Sequence, residues 1–196
     1  MAIMVSDNSK AFIPAPEGIH QAVCCDVIDH GICETKFGTK PRVELRWVIN
    51  EVNDDGRLFM VTKRYTASLN EKANLRKDLQ NWRGREFTPE ELAGFDPKNV
   101  LGKACLLSIT LSDKGKARVT GVSGIPKGMD VPKQVNPSVY FSLDDFDRHL
   151  YEALPKFYKE LIAKSPEYQK VVGTMSDLKD DPPWDDTGAA GPDVPF

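Results

Sequence analysis

Bases and aromatic rings recur together in the stretches of this sequence that read as loops or as polar strand faces. Lys36, Phe37 and Lys40 sit in one Gly-containing run, so that two cations flank a ring. Arg42 and Arg46 fall on the polar side of an alternating segment. Lys63 and Tyr65 close a run of β-formers, and Lys114, Lys116 and Arg118 surround Gly115. Lysine and arginine attract phosphates and release their counterions on contact, and an exposed ring offers a stacking face to any base. Together these residues suit an unpaired nucleic-acid strand. Taken singly, each is as well read as solvated surface, and Tyr65 and Phe37 could equally pack inward.

Catalytic chemistry has no comparable support. No phosphate-binding glycine loop, nucleophile elbow or metalloprotease helix motif occurs. Asp144, Asp145 and Asp147 cluster, but carboxylates collect at helix N-termini for electrostatic reasons alone. The four cysteines (Cys24, Cys25, Cys33, Cys105) read as reduced thiols, with Cys24 and Cys105 as small core residues. His20, His30 and Cys33 raise the question of a metal, but no CxxC pair joins them. The expectation is no enzyme, no metal and no cofactor.

Charge is unevenly spread. Residues 173–196 carry six acids and one base, a charge of −5, which leaves +2 on residues 1–172 of a chain with a formal net charge of −3. Four of the 14 prolines also fall in that stretch, and no hydrophobic period runs through it. It reads as a disordered acidic tail. Asp185, Asp186, Asp193, Val194, Pro195 and Phe196 would form its docking element, a ring for an apolar pocket and carboxylates for a basic rim.

Positioning the basic residues requires strands. From Gly18, apolar and polar residues alternate through Cys24 and resume at Val27 across an expected bulge. Asp29–Gly31 and Glu34–Pro41 read as loop. Val43, Leu45, Trp47 and Ile49 then face one way, opposite Arg42, Glu44 and Arg46. A turn at 53–56 leads to a third strand over 58–65. The period next becomes helical: Ser68 and Glu71 form a capping box, Leu75, Leu79 and Trp82 an apolar stripe, and Gly84 a stop. Thr88-Pro89 opens a second short helix. Strands return over 103–111 and 116–123. After an extended linker, Ser142 and Asp145 suggest another capping box. Phe146, Leu150 and Ala153, then Leu154, Phe157, Tyr158 and Leu161, give further helical stripes, and a last helix ends near Val172.

The fold class expected is therefore mainly β with helical additions (α+β): a five-stranded OB-fold barrel with a helix between its third and fourth strands. A lead-in spans 1–17, the barrel 18–128, a helical annex 129–172 and the tail 173–196. The annex is too small to fold alone. It would pack on its own barrel or, as a homodimer, on a second subunit. The chain length of 196 residues suits one such domain with appendages, and no apolar run approaches a membrane span. The N-terminus does not read as a signal peptide, so a cytoplasmic address is expected.

The closing Asp193-Val194-Pro195-Phe196 resembles the acidic Pro-Phe tip of bacterial and phage single-stranded DNA-binding proteins, and Asp180, Asp181, Asp185 and Asp186 match the acidic character of that tail. The stretch from Gly18 to about Tyr168, with EKANLRKDLQNWRGREFTPEELAGFD and NPSVYFSLDDFD, resembles a family of phage-encoded proteins with an OB-like core. The resemblance implies a protein that coats unpaired DNA and recruits replication or recombination proteins through its tip. One departure is that Gly188–Pro192 separates Asp193 from the other acids. Two rivals stand beside this reading. One is an OB-fold interaction module of the replication machinery without DNA affinity. The other is a nuclease or annealing enzyme using the aspartate cluster.

Overall fold

The computed structural model describes residues 13–36, 38–132 and 137–177. Its centre is one long strand, β1 (Gly18–Thr35), paired antiparallel from Ala22 to Thr35 with β2 (Gly38–Val52). The expected bulge falls at Cys25, where the register steps between Cys24 and Asp26, and a second lies between Asp29 and Gly31. Bulges bend a strand. They also divide the other edge of β1 into two halves.

The first half, Gly18–Val23, pairs with β4 (Ala104–Leu111), which pairs in turn with β5 (Ala117–Ser123). The second half, Asp26–Ile28, takes a short parallel strand, β6 (Val139–Phe141). Beyond β2 lies β3 (Leu58–Thr66), so the sheet order is β3-β2-β1-β4-β5. Among the described residues no ladder joins β3 to β5, and the sheet is curled but not closed. Helix α1 (Asn74–Arg83) fills that opening, packed against both end strands. Its Leu75, Leu79 and Trp82 join Leu45, Trp47, Ile49, Leu107 and Val122 in one core. Trp82 also donates Nε1–H to the Ala104 carbonyl at 2.7 Å. The protein is thus mainly antiparallel β with helices added.

Several expectations are corrected. The polar stretch Glu34–Pro41 is not a loop: the β1–β2 ladder runs on to Thr35 opposite Gly38. It looked irregular because this ribbon projects past the core, and Glu34, Thr39 and Lys40 are solvated. The box at Ser68 does not start a helix. Ser68 Oγ accepts from the Asn70 amide and Asn70 Oδ1 from the Lys72 amide, local turns that compete with helix, and α1 begins at Asn74. The Thr88 box does form, at the start of α2 (Pro89–Ala93).

In the annex, the cap is Asp147 rather than Ser142. Its carboxylate accepts from the His149 and Leu150 amides at the start of α3 (Arg148–Ala153). Pro155 then breaks the chain into α4 (Lys156–Ile162), and α5 (Pro166–Asp177) runs past the expected end at Val172. These elements fold around a second apolar cluster. Ile28 of β1 belongs to it with Phe141, Leu143, Tyr151, Leu154 and Ile162, so the annex packs on the sheet of its own chain. Contact is close at Gly31, where φ is +66° and an added Cβ would lie 2.7 Å from Ser165 Cβ. Among the described residues, no helix is long and apolar enough to cross a membrane.

Candidate nucleic-acid interface

Strand parity decides which bases can reach a ligand. On β3, Val61 and Tyr65 point into the core, both buried. Lys63 shares their side and reaches α1, where its Nζ lies 2.6 Å from Asp78 Oδ2; the Tyr65 hydroxyl donates to the same oxygen at 2.7 Å. Burial, then the Asp78 carboxylate, push the Tyr65 phenol far up. Neither Lys63 nor Tyr65 is therefore an exposed contact, and both expectations are withdrawn. The residue between them, Arg64, has the opposite parity to the buried Val61 and points outward.

On the outer face, Arg64 stands opposite Glu44 and Arg42 opposite Thr66, while Arg46 faces Asp26 across to β1. Arg64 Nε donates to Glu44 Oε2 at 3.1 Å, and Arg46 Nη1 lies 3.1 Å from Asp26 Oδ2. Burial pushes the Asp26 carboxyl up, and the Arg46 guanidinium opposes that rise. Three guanidiniums thus meet two carboxylates along the strip Arg42–Arg46–Arg64.

The annex covers one side of this strip. Alternation put Glu44 on a solvated face, yet it is 1 % exposed. The hydroxyl of Tyr158 on α4 donates to Glu44 Oε1 at 2.6 Å, and the Tyr158 ring lies over Arg46 at 5.5 Å. Arg46 is accordingly mostly covered, its side chain 16 % exposed. The open side runs along β3, where Arg64 and Met60 are exposed. Tyr158→Phe is expected to destabilise the fold by about 2 kcal/mol, because a buried carboxylate loses a donor. Urea unfolding measures it, and a change below about 0.5 kcal/mol would mean that Glu44 finds another partner.

His30 lies beneath the same contact, fully buried, with neither ring nitrogen hydrogen-bonded in the structure. Glu44 Oε2 is 3.6 Å away and the Tyr158 ring 5.7 Å, edge-on. Burial first, then Arg64 and Arg42, lower its pKa from 6.5 to about 4, so the imidazole is neutral near pH 7.

The hairpin tips flank the strip. Lys36 and Lys40 are exposed at the Thr35 end of β1. Lys114, Lys116 and Arg118 are exposed at the β4–β5 turn, which the pairing of Gly18 with Ile109 places at the opposite end. The two tips therefore do not converge on one spot, and the arginine strip lies between them along β1. Phe37, Asp185, Asp186, Asp193, Val194, Pro195 and Phe196 lie outside the described residues.

A second basic group, around α1, is largely spoken for. Arg85 holds the Glu91 carboxylate with both terminal nitrogens, at 2.9 and 2.8 Å, and Arg83 bonds it too. Those bonds, Arg85 foremost and then the Thr88 amide, bring Glu91 down to about 2. Arg83 also stacks on Phe87 and Phe95 beside a cavity of about 910 Å3 between Trp82, Lys103 and Ile125.

Burial raises all four thiols, Cys25 to about 12, so none is a ready nucleophile. Among the described residues no three His, Cys, Asp or Glu side chains gather to hold a metal ion. Asp144 and Asp145 are exposed, and Asp147 is engaged in capping α3. No protein-family model matches the chain, and no curated protein matches it.

Proposed function

We propose that the chain is a single-stranded DNA-binding protein built on an OB-type sheet. The observation that carries this reading is the arginine strip on the outer face of β2 and β3, set between two exposed basic hairpin tips. The strand order and the helix between β3 and β4 also agree with an OB-fold, in which that face and the β1–β2 and β4–β5 loops take up oligonucleotides. Arg42, Arg46, Lys36, Lys40, Lys114, Lys116 and Arg118 are the proposed backbone contacts. Phe37 is kept as a ring that meets bases. Acidic residues 173–196, through Asp185, Asp186 and the Asp193–Phe196 element, recruit replication or recombination proteins.

The test is fluorescence polarisation with matched single- and double-stranded oligonucleotides over a range of salt. If four to six of these seven bases touch phosphates of an unpaired strand, the log–log salt slope should be about −3 to −4. Tighter binding of the duplex, or no binding at low salt, overturns the proposal. One observation favours a second reading, a protein-interaction module without DNA affinity. Arg46 and Arg64 each already hold a carboxylate, so a phosphate must compete with Asp26 and Glu44. The same titration separates the two.

A further inference from the structure

Phe157 is out of place in the annex. The stripes of α3 and α4 gather Leu150, Tyr151, Leu154, Tyr158 and Ile162 around the second core, but the Phe157 ring is 59 % exposed. It is not loose on the surface. Arg64 of β3 lies against it, with the guanidinium carbon 5.7 Å from the ring centroid, and the Tyr158 ring meets it edge-on at 5.6 Å. Arg64 is in turn held by Glu44, and Glu44 by Tyr158. A closed circuit of side chains thus fixes an exposed aromatic at the open border of the arginine strip.

We propose that Phe157 is a stacking platform for a nucleobase of an unpaired strand, with Arg64 beside it meeting the neighbouring phosphate. The assignment rests on the reading of this face as a single-strand binding surface, and it deepens that reading. With Tyr65 buried, it supplies a ring that the sheet itself lacks there. A pre-positioned ring loses little freedom when a base arrives, and a cation held against a ring is compatible with stacking by a base. The platform also accounts for the position of the annex, which covers part of the strand face and returns an aromatic to its edge.

The experiment measures affinity for an oligothymidylate at fixed salt, and the salt slope, for the full chain and three variants. Phe157→Ala should weaken binding by about 5- to 100-fold with no change in slope, because no charge is removed. Phe157→Tyr should bind like the unaltered protein. Phe157→Leu keeps the apolar bulk that the helix surface needs and should bind like the alanine variant, so a folding defect in Phe157→Ala leaves the assignment testable. If the unaltered protein binds the strand and Phe157→Ala or Phe157→Leu binds equally well, the platform is wrong and the broader reading survives. If the unaltered protein does not bind, both are wrong.

Discussion

Asp78→Ala is expected to cost about 3 kcal/mol of folding stability, more than the loss expected for Tyr158→Phe. One carboxylate oxygen accepts both the Tyr65 hydroxyl and the Lys63 ammonium, and it does so where α1 closes the gap between β3 and β5. Lys63 is 20 % exposed and can turn toward water when Asp78 is removed. Tyr65 is 2 % exposed and cannot, so most of the cost is its orphaned hydroxyl. Asp78→Asn keeps an acceptor and should cost less, about 1 kcal/mol. The pair Asp78→Ala and Tyr65→Phe should be less costly together than the sum of the two alone, by about 1–2 kcal/mol. Urea midpoints at constant m-value give all of these. Strict additivity would mean that the hydroxyl and the carboxylate do not act on one another.

That contact also shows where the sequence misleads. Lys63 and Tyr65 sit in a run of β-formers ending in bases, and either parity looked acceptable. Val61 settles it: buried on β3, it shares a side with Lys63 and Tyr65, which leaves Thr62 and Arg64 for the outer face. An alternation read outward from the most apolar residue would have found Arg64. Glu44 was less accessible to such reasoning. Its alternation is correct, and it does face away from Leu45 and Trp47. What buries it is the annex, placed by a long-range contact with Tyr158 that no local pattern encodes. The parallel strand β6 escaped for a similar reason: three residues give too short a period to read, and their pairing depends on the bulge that frees the second edge of β1.

Elements whose apolar period was long and unbroken were legible. The β2 alternation and the α1 stripe reached the core as expected, and the bulge near Cys25 formed. The Thr88 cap formed and the Ser68 cap did not, although both have a hydroxyl and a glutamate three residues apart. At Thr88 the next residue is Pro89, which fixes φ for the first helical turn. At Ser68 the intervening Asn70 offers its own side-chain turn, and the chain takes it.

A loss of stability of about 3 kcal/mol is expected between neutral pH and pH 4 from His30 alone, and its sign follows from which state binds the proton first. In the unfolded chain an imidazole titrates near 6.5, whereas in the folded protein it titrates near 4. Above 6.5 both states are neutral and His30 contributes no pH dependence. As pH falls through 6.5 the unfolded state takes up the proton and is favoured. Near 4 the folded state follows, and the gap between the two values corresponds to about 3 kcal/mol. Facing His30 are Arg42 and Glu44 of β2, Arg64 of β3 and Tyr158 of α4, so the charge would appear between the sheet and the annex. Asp26 and Asp29 act in the opposite sense. Burial raises both carboxyls, so the folded protein takes their protons first and gains stability from them on acidification. Glu91, held down to about 2 by Arg85, acts with His30 at the low end of this range, so urea midpoints from about pH 7.5 to about 4.5 should fall in the unaltered protein and fall much less in His30→Gln and His30→Leu. Equal slopes in all three would place the proton uptake elsewhere.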